Sequence, residues 1–316
     1  MTAADPVAIR ATGVVKTFGG LKAVDVDRIV IPKGRITALI GPNGAGKTTF
    51  FNLLSGFDKV DSGTIELNGE DITGMPPHRL AAKGMVRTFQ LTKVLSKMST
   101  LENLKLGALG QRGENFFVAL FRGLWSDQEA EIERRADALL ERFNLVHMRD
   151  EFAGTMSGGQ RKLLELARAM MTDPQVIMLD EPMAGVNPAL AQSLLEPIKS
   201  LRDEGRTVVF VEHNMDVVRE IADRVIVMSE GRVIAEGTPE EIRTNQAVVD
   251  AYLGTHRGTE SDGGGTRLAA RRSCAPTRFA PATYPGWTSS TAVPLPSTPA
   301  RSSGSSARTA PASPRS

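Results

Sequence analysis

The run Gly41-Pro-Asn-Gly-Ala-Gly46-Lys47-Thr48 narrows the folds open to this chain more than any other stretch. The apolar segment Ile36 to Ile40 leads straight into it, and a helix-forming segment follows from Lys47 to about Ser55. Glycines in such a turn reach positive φ without steric cost, so successive backbone N–H groups can face one centre. The helix that begins there adds its positive end, and the result is a cradle for phosphate. Gly41, Pro42, Asn43, Gly44, Ala45, Gly46, Lys47, Thr48 and Thr49 are therefore a candidate phosphate site. Lys47 reaches β- and γ-phosphates and Thr48 offers a hydroxyl to magnesium.

The surrounding pattern agrees. Strand-like runs at Val7 to Lys16 and Val26 to Ile31 precede the loop, and a polar hairpin at Gly63 to Glu70 follows it. From about Leu91 to Gln160 the chain reads as helical; Ser126 and Glu129 suit a capping box, and Ile132, Ala136, Leu139, Leu140 and Phe143 recur on one helical face. Strand–helix alternation then resumes. Val176 to Leu179 is a strand, and Asn187-Pro188 opens a helix whose buried face carries Leu190, Leu194, Ile198 and Leu201. Thr207 to Val211 is a strand, Asn214 caps a short helix, and Arg224 to Met228 with Arg232 to Ala235 form a hairpin. Thr238-Pro-Glu-Glu241 opens one last helix ending near Gly254. Near-continuous apolar strands between helices mean a largely parallel sheet covered on both faces.

Composition sets the boundaries. No run approaches the roughly 18 to 20 apolar residues that span a bilayer, and the N-terminus has no secretory pattern. The lone Cys274 excludes an intrachain disulfide framework, so folding in the cytosol is expected. The formal net charge is +2, but residues 255–316 hold eight arginines and two acids, which leaves residues 1–254 at about −4. A mildly acidic body speaks against nucleic acid as a partner. The Pro-, Ser- and Arg-rich tail 255–316 lacks periodicity and is expected to be disordered. It contains no Lys, Ile or Asn, the bias of GC-rich DNA read out of frame; an intact frame on resequencing the gene's 3′ end would remove that explanation. A basic tail touching anionic lipid is the alternative.

Two further motifs carry chemistry. Val176-Ile-Met-Leu-Asp180-Glu181 is a buried strand ending in carboxylates beside the loop. Asp180 can order magnesium and its waters, and Glu181 can polarise an attacking water. Met156-Ser157-Gly158-Gly159-Gln160 stands before a helix, a short distance upstream of that strand. Together these motifs resemble the ATP-binding domains of ABC transporters over about residues 7–254, with Met156 where leucine is usual.

The resemblance implies an α/β fold: a P-loop NTPase (RecA-like) core with a mixed sheet, an antiparallel β edge and a helical ABC signature subdomain at about 91–160. It makes residues 1–254 one nucleotide-binding domain. It implies that Ser157, Gly158, Gly159 and Gln160 bind the γ-phosphate held by a second ATPase domain. Gln90 matches the Q-loop glutamine, touching magnesium and water on a loop that faces the membrane partner. His213 matches the switch histidine that contacts the γ-phosphate and orients Glu181. Phe18 matches the adenine-stacking aromatic, usually tyrosine. Asn187 stands in the D-loop at the family's usual aspartate. His78, His147 and His256 show no metal spacing and read as surface residues. With no Asn-Lys-x-Asp motif, ATP is favoured over GTP.

Gly19-Gly-Leu21, Asn52-Leu-Leu-Ser-Gly-Phe57, Asp71 to Arg79, Arg87-Thr-Phe-Gln90, Ala184 to Pro188, about Gly110 to Trp125 and Ala251-Tyr-Leu-Gly254 resemble the branched-chain (hydrophobic) amino-acid importer subgroup. Urea and short-amide importers share most of these phrases; lipopolysaccharide-export ATPases share fewer. A soluble ABC protein is disfavoured because neither a second ATPase domain nor a long coiled-coil insertion is present. The resemblance implies ATP and Mg2+, two facing ATPase subunits, permease subunits near Gln90, a substrate-binding protein, and a peripheral location on the cytoplasmic face of the inner membrane.

Overall fold

Strand β3 (Ile36–Ile40) is buried at every position, as a strand flanked on both sides and both faces must be. The computed structural model describes residues 6–88, 94–110, 126–186 and 188–257, all within one compact unit, Met1–Gly263. In it β3 lies parallel to β8 (Thr207–Val211) and to β9 (Arg224–Ser229). Outward from β8 come β7 (Val176–Asp180) and β6 (Met85–Arg87), both parallel; outward from β9 comes the antiparallel β10 (Arg232–Gly237). The sheet order is β10-β9-β3-β8-β7-β6. A second, antiparallel sheet has the order β2-β1-β4-β5, from β1 (Val7–Phe18), β2 (Leu21–Pro32), β4 (Ser62–Leu67) and β5 (Glu70–Asp71). A mostly parallel sheet with an antiparallel companion is the expected α/β class.

Because side chains alternate along a strand, the six-stranded sheet looks into two cores. Ala38, Ile40, Ile177, Leu179, Val208 and Phe210 face one core, shared with the helices. Leu39, Val176, Met178, Val209, Val211 and Ile226 face the other, shared with the antiparallel sheet and with helix α1 (Lys47–Leu54).

The interval expected to be helical contains α3 (Thr100–Lys105), α4 (Ser126–Arg142) and two short 3-10 turns, and it ends where α5 (Gly158–Met170) begins. The apolar stripe of α4 is buried: Ile132, Ala136, Leu140 and Phe143 pack with Leu163, Leu164 and Ala167 of α5. Helix α2 (Pro77–Ala82) and strand β6 had no sequence expectation; α2 is two turns at most and β6 three residues, too short for a periodic signal. Helix α6 (Pro188–Asp203) and α7 (Met215–Ile221) flank β8, and Asn214 caps α7 through Asp216 N–H at 2.9 Å.

One expectation is corrected. The single last helix is two, α8 (Pro239–Thr244) and α9 (Gln246–Arg257), because Asn245 leaves the helical region at ψ 117°. Its side chain then accepts from Ala247 N–H at 3.0 Å and starts the next helix. The capping box at Thr238 and Glu241 is formed. The side chains of Ser126 and Leu190, residues Asn187 and Gln90, most of Gly110 to Trp125 and the tail lie outside what is described.

Candidate active site

The loop after β3 is pressed between the two sheets, and this fixes its glycines. Gly46 precedes α1 at φ 91°, and a Cβ there would stand 2.3 Å from Ala23 O on β2. A Cβ on Gly41 would stand 2.1 Å from Met228 O on β9. Asp25 N–H donates to Gly231 O at 2.8 Å and ties the second sheet to the β9–β10 turn beside the loop. Lys47 is buried, and its Nζ donates to Gly41 O at 2.8 Å and Pro42 O at 2.9 Å. Burial pushes the Lys47 ammonium below its ordinary pKa, against an opposing pull from Glu181.

A cavity of about 630 Å3 opens over the loop. Asn43 to Thr49 line one side, Leu21, Lys22, Ala23 and Gly231 the other, and Glu181 and His213 reach in from the ends of β7 and β8. His213 Nε2 lies 2.9 Å from Glu181 Oε1. Glu181 holds this position at φ 46°, a left-handed conformation rare outside glycine. The three loop, strand-end and histidine motifs, far apart in sequence, thus meet on one polar cavity.

Asp180, the last residue of β7 and the neighbour of Glu181, is buried and pairs with Arg87 of β6, Nη2 to Oδ2 at 2.6 Å. Arg87 Nη1 also donates to Asn52 Oδ1 at 2.7 Å and Ser55 Oγ at 2.9 Å. Its guanidinium lies 5.0 Å from the Phe51 ring centre and 5.3 Å from that of Phe57. The sequence assigned Arg87 no role of its own; the signal available was a cation ending a short strand that begins at buried Met85. Among the described residues no group of three or more His, Cys, Asp or Glu side chains gathers as a metal cage. One hydroxyl, Thr48, and one carboxylate, Asp180, beside a phosphate cradle are the donor set that Mg2+ takes, which fits this ion rather than zinc.

Other expected residues lie apart from the cavity. Phe18 is half exposed at the end of β1, with Lys16 Nζ 5.3 Å over its ring. It pairs across the turn with Leu21, and Leu21 rather than Phe18 lines the cavity. Ser157 caps α5: its Oγ accepts from Gln160 N–H at 3.3 Å, while Gln160 Oε1 accepts from Ser157 N–H at 2.9 Å. Gly158 has open space where a Cβ would stand, and Met156 is buried. His147, expected on the surface, is exposed there, with its Nε2 3.3 Å from Gln160 Nε2. From α9, Tyr252 accepts from the Gly41 amide, and burial raises its phenol pKa.

Comparison with known proteins gives the family. The ABC transporter family model matches residues 25–184. A second model, branched-chain amino acid ATP-binding cassette transporter, matches residues 232–257. A probable branched-chain amino acid transport ATP-binding protein LivG of Archaeoglobus fulgidus is 47% identical over 239 residues, 76% of this chain and 92% of that protein. The high-affinity branched-chain amino acid transport ATP-binding protein BraF of Pseudomonas aeruginosa is 42% identical over 78% of this chain and 97% of its own length. Among solved structures, an ATP-binding cassette of an ABC transporter in its ADP conformation superposes at TM-score 0.68 with 38% identity, covering 78% of this chain and 99% of that one. A nucleotide-free cassette gives TM-score 0.68 at 39% identity, with 78% and 98% covered.

Proposed function

The chain belongs to the ABC transporter family of ATP-binding proteins, and on that premise we propose that it is the ATP-hydrolysing subunit of an importer for branched-chain amino acids. The substrate class rests on one observation above all, the match of residues 232–257 to the branched-chain model. The ATP chemistry rests on the meeting of Lys47, Glu181 and His213 at one cavity.

In this reading the backbone N–H groups of Gly44, Gly46, Lys47 and Thr48 and the Lys47 ammonium hold the β- and γ-phosphates. Lys47 gives up its bonds to the Gly41 and Pro42 carbonyls for phosphate oxygens. Thr48, Asp180 and Gln90 would hold Mg2+, which supplies charge neutralisation on the phosphates. Glu181 polarises the attacking water, and His213, 2.9 Å from its carboxylate, orients it and reaches the γ-phosphate. Phe18 stacks on adenine beyond Leu21.

A second ATPase subunit completes the site, because the 630 Å3 cavity of one copy contains no signature residue. Ser157 Oγ accepts within its capping box, so its O–H is left to donate to the partner's γ-phosphate. The amides of Gly158 and Gly159 at the start of α5 do the same, while Gln160 holds the cap that presents them. Permease subunits dock beside β6. There Phe57, His78, Leu80, Ala81, Met85 and Arg87 line a groove of about 240 Å3, and Leu106 is exposed. A substrate-binding protein delivers the cargo to that permease. Among the described residues no helix is long and apolar enough to cross a membrane, which suits a peripheral subunit on the cytoplasmic face.

The test is uptake of labelled leucine, with labelled urea in parallel, in cells lacking the gene and complemented with the full chain or Lys47→Ala. Loss of leucine uptake, restored only by the Lys47 form, is the expected result. Unchanged uptake of leucine would remove the proposed substrate, and loss of urea uptake instead would assign the short-amide branch.

A further inference from the structure

Glu181 is held in a backbone conformation that a non-glycine residue adopts only when its surroundings over-determine it, at a cost of roughly 1–3 kcal/mol. Four groups grip the turn that begins there. Glu181 N–H donates to Val211 O at 3.1 Å, and Ala184 N–H returns to Glu181 O at 3.0 Å. From the β8 side, buried Glu212 accepts Met183 N–H on Oε1 at 2.9 Å and His213 N–H on Oε2 at 3.1 Å. The fourth is a lysine of α5, two residues beyond Gln160 at the end of the signature motif. Lys162 Nζ donates to Pro182 O at 2.8 Å and Glu181 O at 3.2 Å.

We propose that Lys162 is a positioning residue that holds the Glu181 turn from this chain's own signature helix, with Glu212 as its counterpart from β8. The inference rests on the reading of Glu181 as the carboxylate that polarises water. Its content is mechanical. The helix whose N-terminus serves the partner's nucleotide is tied through one ammonium to the carbonyls that set this copy's own Glu181. A shift of α5 relative to β7 therefore moves or releases the catalytic carboxylate, and one signature event is felt at both ATP sites. An ammonium is suited to this because its donors fan out to two carbonyls at once. Burial presses on the Lys162 charge, while Glu212, Glu165 and Glu181 nearby sustain it.

The test compares full-length wild type with Lys162→Met, Lys162→Arg and Glu212→Gln, reading kcat and KM for MgATP, fluorescent ATP-analogue affinity and melting temperature. A misplacement on the order of 1 Å costs about 10²-fold in rate. Lys162→Met should therefore lose kcat by at least about 10-fold, with analogue affinity and melting temperature close to wild type. Lys162→Arg, which still donates to carbonyls, should restore most of that loss. Unchanged kcat in Lys162→Met overturns the proposal, as does a kcat loss that Arg leaves untouched. If Lys162→Met does not fold, Glu212→Gln decides. Its amide oxygen can still accept one of the two N–H bonds, so a kcat loss with retained affinity supports the clamp and an unchanged kcat sinks it. Glu181→Gln in the same assay separates the premises: normal turnover there removes the catalytic reading itself.

Discussion

Replacing Arg87 by methionine isolates a buried charge. Arg87 and Asp180 have side chains only 9% and 7% exposed, with 2.6 Å between Nη2 and Oδ2. Removing one partner of such a pair leaves the other charge without compensation in a poor solvent, a cost of about 3–5 kcal/mol. The two Phe rings beneath the guanidinium contribute less, since methionine packs on them too. At roughly 2–4 °C per kcal/mol for a domain of this size, the melting temperature should fall by on the order of 10 °C. The assay is urea and thermal unfolding of wild type, Arg87→Met, Asp180→Asn and the double variant. Each single variant strands one charge, whereas the double strands none, so the double should be more stable than the sum of the singles predicts by at least about 1.5 kcal/mol. Additivity within about 0.5 kcal/mol would refute the argument that this pair is a buried, mutually dependent unit.

Three further outcomes follow from the same site. Gly46→Ala should abolish nucleotide binding and lower stability, because its Cβ would meet Ala23 O at 2.3 Å; an ATP-agarose pull-down with a melt checks both. For Lys47, burial holds the folded pKa below the 10.5 of a free lysine, so the unfolded chain binds that proton more tightly. Stability gains from this group as pH rises from the folded value toward 10.5, and near neutral pH its ammonium is a cost. Lys47→Met should therefore lose ATP binding yet melt no lower than wild type at pH 7. Glu181→Gln should stop turnover while leaving ATP-driven dimerisation intact, read by size exclusion with and without ATP.

Much of this was legible in the chain because its signals are local. Ile36 to Ile40 and Thr207 to Val211 are bounded as the apolar runs are, and the capping residues Asn214 and Thr238 start their helices where expected. Lys47, Glu181 and His213 could be named from their motifs, and the fold brings them together. What escaped was non-local. Nothing around Arg87 says that it pairs with a residue 93 positions away, nor around Lys162 that its ammonium reaches two carbonyls. Glu212 reads as a neighbour of His213, and only tertiary packing turns its carboxylate onto Met183 N–H. The break at Asn245 was missed because asparagine permits a helix and caps one equally, and the packing of α8 and α9 decides between them.

The two cores on either side of the parallel sheet give each strand a rule of parity. On β7, Ile177 and Leu179 bear on the core that holds the signature helix, whereas Val176 and Met178 bear on the one behind the phosphate loop. Neighbouring positions in sequence thus belong to different circuits. A volume change at Ile177 bears on the packing of the signature helix, and the same change at Met178 on the packing behind the phosphate loop. Under the proposed two-subunit reading, a scan along Val176 to Leu179 should sort into two alternating classes, one altering communication between subunits and the other the grip on ATP. Drift in this family can tune one without the other by moving a substitution a single place along the chain.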